Sequence, residues 1–386
     1  MTLDVVAIEK QARPLIAAGQ LEEAEALVRP YLASGSGPLA LWRLLVDAIR
    51  PQGKIGEAQA IQEMLVAAVP GDYAMRFNLS ETLLLQGHFD RGWREYHYRY
   101  SLPHTTIAER KVQRPRWDGR PIPGKTLLIH DEQGYGDTFQ FLRMVAWARE
   151  RSRARVILEI NPESVSLAQR CVGFDELIVR GSLPPAFDVH CEMMSLPMVM
   201  GLKLEDLPGT GPYLSADPQR LAQWQQRLAG LPRPWVALVW AGRPTHFNDA
   251  NRSLNLAQIA PLARPDVTFL SIQKGPAAAQ AVSPPSGMSL VSLSDEIQDF
   301  EDTAAILSLA DLLISVDSSP VHLAGALGRP AWVMLPFVPD WRWLLGRNDT
   351  PWYPDVRLFR QPLRGDWGGV MAAMAPELAR IVARQR

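Results

Sequence analysis

Three glycines constrain the first third of the chain: Gly19, Gly53 and Gly87 follow one another at intervals of 34 residues. Their surroundings recur with them, as Gly19-Gln-Leu21-Glu-Glu-Ala24, Gly53-Lys-Ile55-Gly-Glu-Ala58 and Gly87-His-Phe89-Asp-Arg-Gly92. A fixed period of this length demands units that stack, because one such unit cannot bury its own apolar face. The local pattern defines the unit. Glycine ends one helix in a left-handed conformation, the apolar residue two positions on seats the turn, and a small residue five positions on lets two helices approach. Helix-turn-helix units are therefore expected at 5–38, 39–72 and 73–106.

Trp42, Leu45, Ala58 and Pro70 fall where the tetratricopeptide pattern has its characteristic residues, and residues 1–106 resemble three such repeats. The resemblance implies an α-solenoid whose concave face holds an extended peptide or a partner protein; packing against the rest of the chain is the other use of such a surface. Trp93, Tyr96, Tyr98 and Tyr100 are expected to bury the last repeat against the next domain.

From Lys125 the period changes. Short β-branched or apolar runs at 126–130, 155–160, 234–240, 267–272, 311–316 and 331–336 alternate with amphipathic segments, which predicts parallel sheets covered by helices. Two Rossmann-like halves are expected, at 125–216 and 234–366, after a linker at 107–124 and around an interdomain helix and linker at 217–233; a closing helix follows at 367–386. A hydrophobic content of 47% with 21% charged residues supports packed cores throughout. Forty basic residues against 41 acidic ones leave a formal charge of −1, so no global basic surface draws the chain to nucleic acid. Cys171 and Cys191 are the two cysteines, and neither sits in a C-x-x-C pair. That excludes a disulfide framework and a cysteine zinc site and suits a reducing compartment, so a cytoplasmic protein is expected. The N-terminus lacks a secretory pattern and no stretch approaches a membrane span, so neither a signal peptide nor a transmembrane segment is expected.

Five segments raise the question of polar chemistry. Gly119-Arg-Pro-Ile-Pro-Gly124-Lys125-Thr126 matches the P-loop spacing but not its physics, since Pro121 and Pro123 lack N–H groups and Thr126 opens a strand rather than a helix. Glu132-Gln133-Gly134-Tyr-Gly136-Asp137 follows the first strand, where the glycines would permit a tight turn that aims Asp137 at a cleft; Asp137 as a simple helix N-cap is the alternative. The loop 240–253 lies at a strand's carboxyl end and is rich in donors: Arg243 and Arg252 are suited to clamp a diphosphate, with Asn251 beside them. Gln273 and Lys274 hold the equivalent place after the next strand, where Lys274 is either a phosphate-charge partner or a solvated surface lysine. In Ser315-Val-Asp317-Ser318-Ser319-Pro320-Val-His322-Leu-Ala-Gly-Ala-Leu-Gly328-Arg-Pro330, a strand gives way to a helix start with donors suited to a diphosphate. The alternative leaves Asp317 or Ser318 as a cap and His322 as a core histidine.

The stretch D-S-S-P-V-H-L-A-G-A-L-G-R-P resembles the donor-site signature of GT-B glycosyltransferases, especially the heptosyltransferase-like family 9, and Gly136-Asp137 resembles their acceptor-side signature. Repeats ahead of such a domain are similar to the arrangement in O-linked N-acetylglucosamine transferases. The resemblance implies a glycosyltransferase that uses a nucleotide sugar as substrate rather than a bound cofactor. It makes Asp137 the general base, Asp317, Ser318, Ser319 and His322 donor contacts, and Lys274 and the Arg243–Arg252 loop phosphate stabilisers. A protein acceptor presented by the repeats is the expected partner; a saccharide or lipopolysaccharide-core acceptor, or a repeat scaffold that binds a nucleotide sugar without turnover, are the alternatives. No D-x-D occurs, so a metal-independent reaction with no metal ligands is expected. Ser319 stands where the family often has glycine, and the acceptor half is short. The rings from Trp341 to Tyr353 are expected mostly in interdomain packing, with stacking on a base or sugar as the alternative.

Overall fold

The computed structural model describes residues 4–102, 112–207, 211–246 and 248–384. Residues 103–106 of the third expected repeat, 107–111 of the expected linker, 208–210 and 247 lie outside the described residues, as do the last two of the expected closing helix. The chain forms two compact units, Met1–Glu109 with Phe337–Leu345, and Arg110–Pro336 with Gly346–Arg386.

The first unit is helical. Helices α1 (Val5–Ala17) and α2 (Leu21–Val28), α3 (Leu39–Ile49) and α4 (Ile55–Ala68), and α5 (Tyr73–Leu85) and α6 (Phe89–Tyr96) form three hairpins. The turn glycines Gly19, Gly53 and Gly87 have φ of 74°, 82° and 82°, a left-handed backbone that a side chain would strain. Leu21, Ile55 and Phe89 are buried behind them, as are Ala24 and Ala58. At Gly92 a Cβ would stand 2.7 Å from the Leu84 side chain.

The period extends to polar contacts between hairpins. Gln52 donates to Glu25 at 2.7 Å and to the Ala48 carbonyl at 3.1 Å; 34 residues on, Gln86 donates to Gln59 at 2.6 Å and to the Thr82 carbonyl at 3.2 Å. Arg29 binds Glu57 at 2.9 Å through both guanidinium nitrogens, and in the next pair the charges are exchanged, with Arg91 donating to Glu63 at 2.7 Å. The aromatic run is shared out within this unit. Tyr98 stacks on Tyr73 at 5.4 Å, while Trp93 and Tyr96 meet Trp341 edge-on at 5.0 and 6.2 Å, so the segment Phe337–Leu345 supplies their partner.

The second unit holds two parallel sheets. Strands β1 (Thr126–His130), β2 (Arg155–Ile160), β3 (Glu176–Val179) and β4 (Val189–Glu192) form one in the order β3-β2-β1-β4. Strands β5 (Trp235–Val239), β6 (Thr268–Ser271), β7 (Leu290–Ser292), β8 (Leu312–Val316), β9 (Ala331–Leu335), β10 (Asp349–Thr350) and β11 (Tyr353–Arg360) form the other in the order β10-β11-β9-β8-β5-β6-β7, with β10 alone antiparallel. The covering helices are α7 (Tyr135–Phe141), α8 (Arg143–Ser152), the short α9 (Val165–Ala168) and α10 (Leu196–Met200), α11 (Pro218–Leu228), the single turn α12 (Asp249–Arg252), α13 (Phe300–Leu309), α14 (Ser319–Ala326) and α15 (Trp367–Arg384). Strands β5, β8 and β9 are buried along their whole length, as parallel strands covered on both faces must be. Val370, Met374 and Leu378 of α15 close one side of that core against Val236, Phe269, Ile314 and Met334. Among the described residues no helix is long and apolar enough to cross a membrane.

Candidate functional site

In both sheets the strand order reverses beside a central strand, between β1 and β4 in the first and between β5 and β8 in the second. Open α/β sheets take ligands in the crevice outside the carboxyl ends at such points. The loops leaving β1, β5 and β8 carry most of the residues singled out in the sequence.

The loop after β1 does not turn on its glycines. Gly134 has φ −77° and Gly136 lies inside α7, so neither uses a left-handed conformation. Asp137 is not the N-cap either. Gly134 occupies that position, and Asp137, in the first turn, accepts the Gly134 N–H at 2.9 Å. Gly136 answers a different need: a Cβ there would lie 2.9 Å from His322 Cδ2 and 3.5 Å from Ser319 Cα. The start of α7 and the start of α14 are thus in contact, and glycine is what admits the approach. Gln133 is half-buried on the same loop. Behind it, the buried carboxylate of Asp131 accepts from the Asn161 backbone at 2.7 Å and side chain at 2.6 Å and pairs with Arg180; burial pushes its pKa up against the pull of Arg180. Burial also pushes up the Tyr135 phenol, which hydrogen-bonds Glu163.

Helix α14 opens at Ser318, whose hydroxyl does not cap it; the hydroxyl donates to the Val316 carbonyl at 3.2 Å and meets that of Ser315 at 3.2 Å. Ser319 begins the helix against Gly136. His322 is buried, with Nε2 4.0 Å from the Asp317 carboxylate and Nδ1 3.0 Å from the Tyr353 hydroxyl. Nearby, Tyr213 donates to the Phe139 carbonyl at 2.8 Å, and the Arg143 guanidinium lies over the rings of Tyr213 and Tyr353 at 4.6 and 5.1 Å. The ring of Tyr353 lies against α14 because residue 325 is glycine, where a Cβ would stand 2.3 Å from Tyr353 Cδ1. Sequence reasoning missed Tyr353 as the partner of His322 and Gly325 as the residue that admits the Tyr353 ring.

The loop after β5 is tied to α14 by Arg252, which donates to the Asp317 carbonyl at 2.9 Å and to the Asp249 carboxylate at 3.3 Å. Arg243 is exposed, and its charge opposes the upward push that burial gives the Tyr135 phenol. Asn251 is exposed and donates to Asn248 at 2.7 Å. Gln273 is buried, and its amide is fully used on the chain: it accepts the Trp240 and Ala241 N–H groups at 2.9 Å and donates to the Ala241 and Lys274 carbonyls at 3.0 and 2.8 Å. The Lys274 ammonium donates to the Ser294 and Ile297 carbonyls at 2.7 and 3.0 Å. Gln273 and Lys274 therefore brace loops, whereas Asp317, Ser319, His322, Arg252 and Gly136 are brought together. The later rings are spent on packing, Trp352 against Phe141 at 5.8 Å and Tyr353 against His322 at 5.9 Å.

Paired parallel sheets with loops meeting across their carboxyl ends are the architecture of GT-B glycosyltransferases, which this mixed α/β fold resembles. A family 9 glycosyl transferase from Veillonella parvula DSM 2008 is similar in structure, with a TM-score of 0.52 at 9% identity over 70% of this chain and 100% of that one. The ADP-heptose lipopolysaccharide heptosyltransferase II of E. coli has a TM-score of 0.48 at 12% identity, over 66% of this chain and 99% of its own. In sequence, the chain is 27% identical over 364 residues to Protein FlbA of Caulobacter vibrioides, across 85% of this chain and 60% of that protein. The chain thus spans about three-fifths of the length of that curated relative. No protein-family profile matches the sequence.

Proposed function

We propose that the chain transfers a glycosyl group from a nucleotide sugar to a nucleophile deprotonated by Asp137. The contact of Gly136 with Ser319 and His322 carries this reading, because it sets a carboxylate one residue from the start of a helix that can receive a diphosphate. Breaking a sugar–phosphate bond leaves negative charge on the diphosphate and positive character on the sugar, so the two ends of the reaction need opposite fields. On this reading Asp317, Ser318, Ser319 and His322 hold the donor, Arg243 adds positive charge, and Arg252 and Gln273 position the loop. Lys274 would join the phosphate by leaving its two carbonyls. The transfer is proposed to need no metal ion at the diphosphate. The helical unit, read as tetratricopeptide repeats, would present a protein acceptor; the likeness to a family 9 fold supports a saccharide acceptor as the second reading.

The test uses the full chain. Nucleotides and their sugars are screened for a rise in melting temperature, and transfer from the stabilising donor is measured to protein and to saccharide acceptors. Asp137→Asn is the informative variant, since its amide oxygen still accepts the Gly134 N–H while the base is gone. It is expected to keep the thermal shift and lose about 10²–10⁴-fold in turnover. An absence of any nucleotide-dependent shift, or full turnover in the variant, overturns the proposal.

A further inference from the structure

Three buried side chains with no part in the proposed transfer meet at the switch point of the first sheet. His130 ends β1, while His190 and Glu192 lie on β4; in register, Leu128 pairs with His190 and His130 with Glu192. Alternate residues of a strand share a face, so all three project from one side of the sheet. They are 3%, 3% and 2% exposed. His130 Nε2 stands 3.2 Å from His190 Nδ1, their rings are 20° from parallel, and His190 Nδ1 is 4.0 Å from Glu192 Oε1. One ligand atom from each lies within 4.8 Å of the others.

The carboxylate is half used. Glu192 Oε1 accepts from Arg116 Nε at 2.8 Å, whereas Oε2 is buried and has no hydrogen-bond partner among the described residues. Arg116 comes from a segment bonded along the edge of β4, where the His190 N–H donates to the Pro115 carbonyl at 3.1 Å and the Trp117 N–H to the His190 carbonyl at 2.7 Å. An orphaned buried carboxylate oxygen is costly, and the carboxylate that carries it lies beside a pair of imidazoles, its Oε1 4.0 Å from His190 Nδ1.

We propose that His130, His190 and Glu192 bind a divalent transition ion, zinc foremost, at the β1/β4 switch point. Two histidines and a carboxylate are an established zinc ligand set, and Zn–N bonds of about 2.0–2.1 Å in a tetrahedron put neighbouring nitrogens about 3.3–3.4 Å apart. The two imidazole nitrogens already stand near that spacing, at 3.2 Å, and the Glu192 carboxylate, 4.0 Å from His190 Nδ1, is the group that must move inward. Arg116 is the outer partner that orients the carboxylate, as ligating carboxylates require. The ion ties the ends of β1 and β4 together just ahead of the loop that leads into α7. The inference needs neither a nucleotide nor glycosyl transfer. Sequence spacing hid it, because the two histidines are 60 residues apart.

The full-length chain is stripped with a chelator and titrated with Zn²⁺ by calorimetry, with its melting temperature followed, and then with Co²⁺ by visible absorption. One Zn²⁺ per chain, a raised melting temperature and intense tetrahedral Co²⁺ bands are expected. Glu192→Gln and His190→Ala should each weaken Zn²⁺ binding by at least about 100-fold, the upper range for losing even an outer partner. The absence of stoichiometric Zn²⁺ binding, or binding unchanged in these variants, overturns the proposal. The Co²⁺ spectrum of the unaltered chain decides the matter even if the variants fold poorly, since no band, or only weak octahedral bands, also overturns it.

Discussion

At the scale of single residues, the signature histidine is held by a hydroxyl far along the chain. Tyr353→Phe keeps the ring against α14 but removes the hydroxyl that the buried His322 Nδ1 bonds at 3.0 Å, at a cost of about 1–3 kcal/mol. Gly325→Ala is expected to do more harm: a methyl 2.3 Å from Tyr353 Cδ1 must displace the ring, and forced overpacking typically costs about 1–3 kcal/mol before the lost hydrogen bond is counted. Urea unfolding measures both, and ¹⁵N chemical shifts of His322 report the tautomer. A Tyr353→Phe protein with unaltered stability and unaltered His322 shifts would refute the role given to this hydrogen bond. Asp317, Ser318, Ser319 and His322 were legible because they are contiguous and follow a strand. Tyr353 was not, because its role depends on the sheet bringing β11 beside α14. The present bonds of Gln273 and Lys274 were hidden for a related reason. A donor-rich side chain at a strand's end looks ready for a ligand, but here backbone groups take up both. Asp137 was legible as a helix-start residue and misplaced by three positions, since a carboxylate in the first turn can serve the helix by bonding back to the N-cap N–H.

At the scale of elements, the helical hairpins are held to one another by a polar seam as well as an apolar one. Glu25 accepts from Arg29 and Gln52 at 2.7 Å and from Lys54 at 2.6 Å. Burial pushes its pKa up, but the bonds from Lys54, Arg29 and Gln52 outweigh this and hold it below the usual carboxylate range. A carboxylate with a lowered folded-state pKa stabilises the fold above its unfolded value, near 4.3, and loses that contribution as pH falls through the folded value. Glu25→Gln should therefore cost about 1–2 kcal/mol at pH 7, at the low end for charged hydrogen bonds because Arg29 and Lys54 are partly exposed. The gap from the unaltered protein should shrink as pH falls below about 4. Chemical unfolding at pH 7 and pH 3 checks this, and an equal gap at both values would contradict it. The hairpins could be read from glycine spacing, but this seam could not, because its second copy exchanges Arg29–Glu57 for Glu63–Arg91 and replaces Glu25 with Gln59. Among the strands, β1, β2, β5, β6, β8 and β9 were visible as apolar runs. β3 is half-exposed, β4 carries His190 and Glu192 inside its run, and β11 contains Pro354 and exposed charges, so none of these three has the composition of a buried strand.

At the scale of the whole molecule, the helical unit is not contiguous in sequence. It includes Phe337–Leu345, which leaves the α/β unit after β9 and returns to it before β10. Two close contacts fix this segment within the helical unit. Trp341, 3% exposed, packs edge-on against Trp93 and Tyr96, and Phe337 lies so near the α3–α4 turn that a Cβ on Gly53 would stand 2.9 Å from its ring. A large buried aromatic dominates local packing, and its truncation typically costs about 3–5 kcal/mol. Trp341→Ala, a change in the last fifth of the chain, should therefore loosen helices near its beginning. Hydrogen exchange is the measurement that can see this, because amides report the stability of the cooperative unit they belong to. Protection should fall in α5 and α6 while β5 and β8 keep theirs. If the loss appeared in the strands and left the helices unchanged, Phe337–Leu345 would belong energetically to the α/β unit from which it departs. The same logic explains why removing residues 1–109 is a poor way to isolate that unit: the deletion would strip Trp341 of its partners and leave its ring to water, so lost activity would not distinguish a missing acceptor platform from an exposed aromatic face.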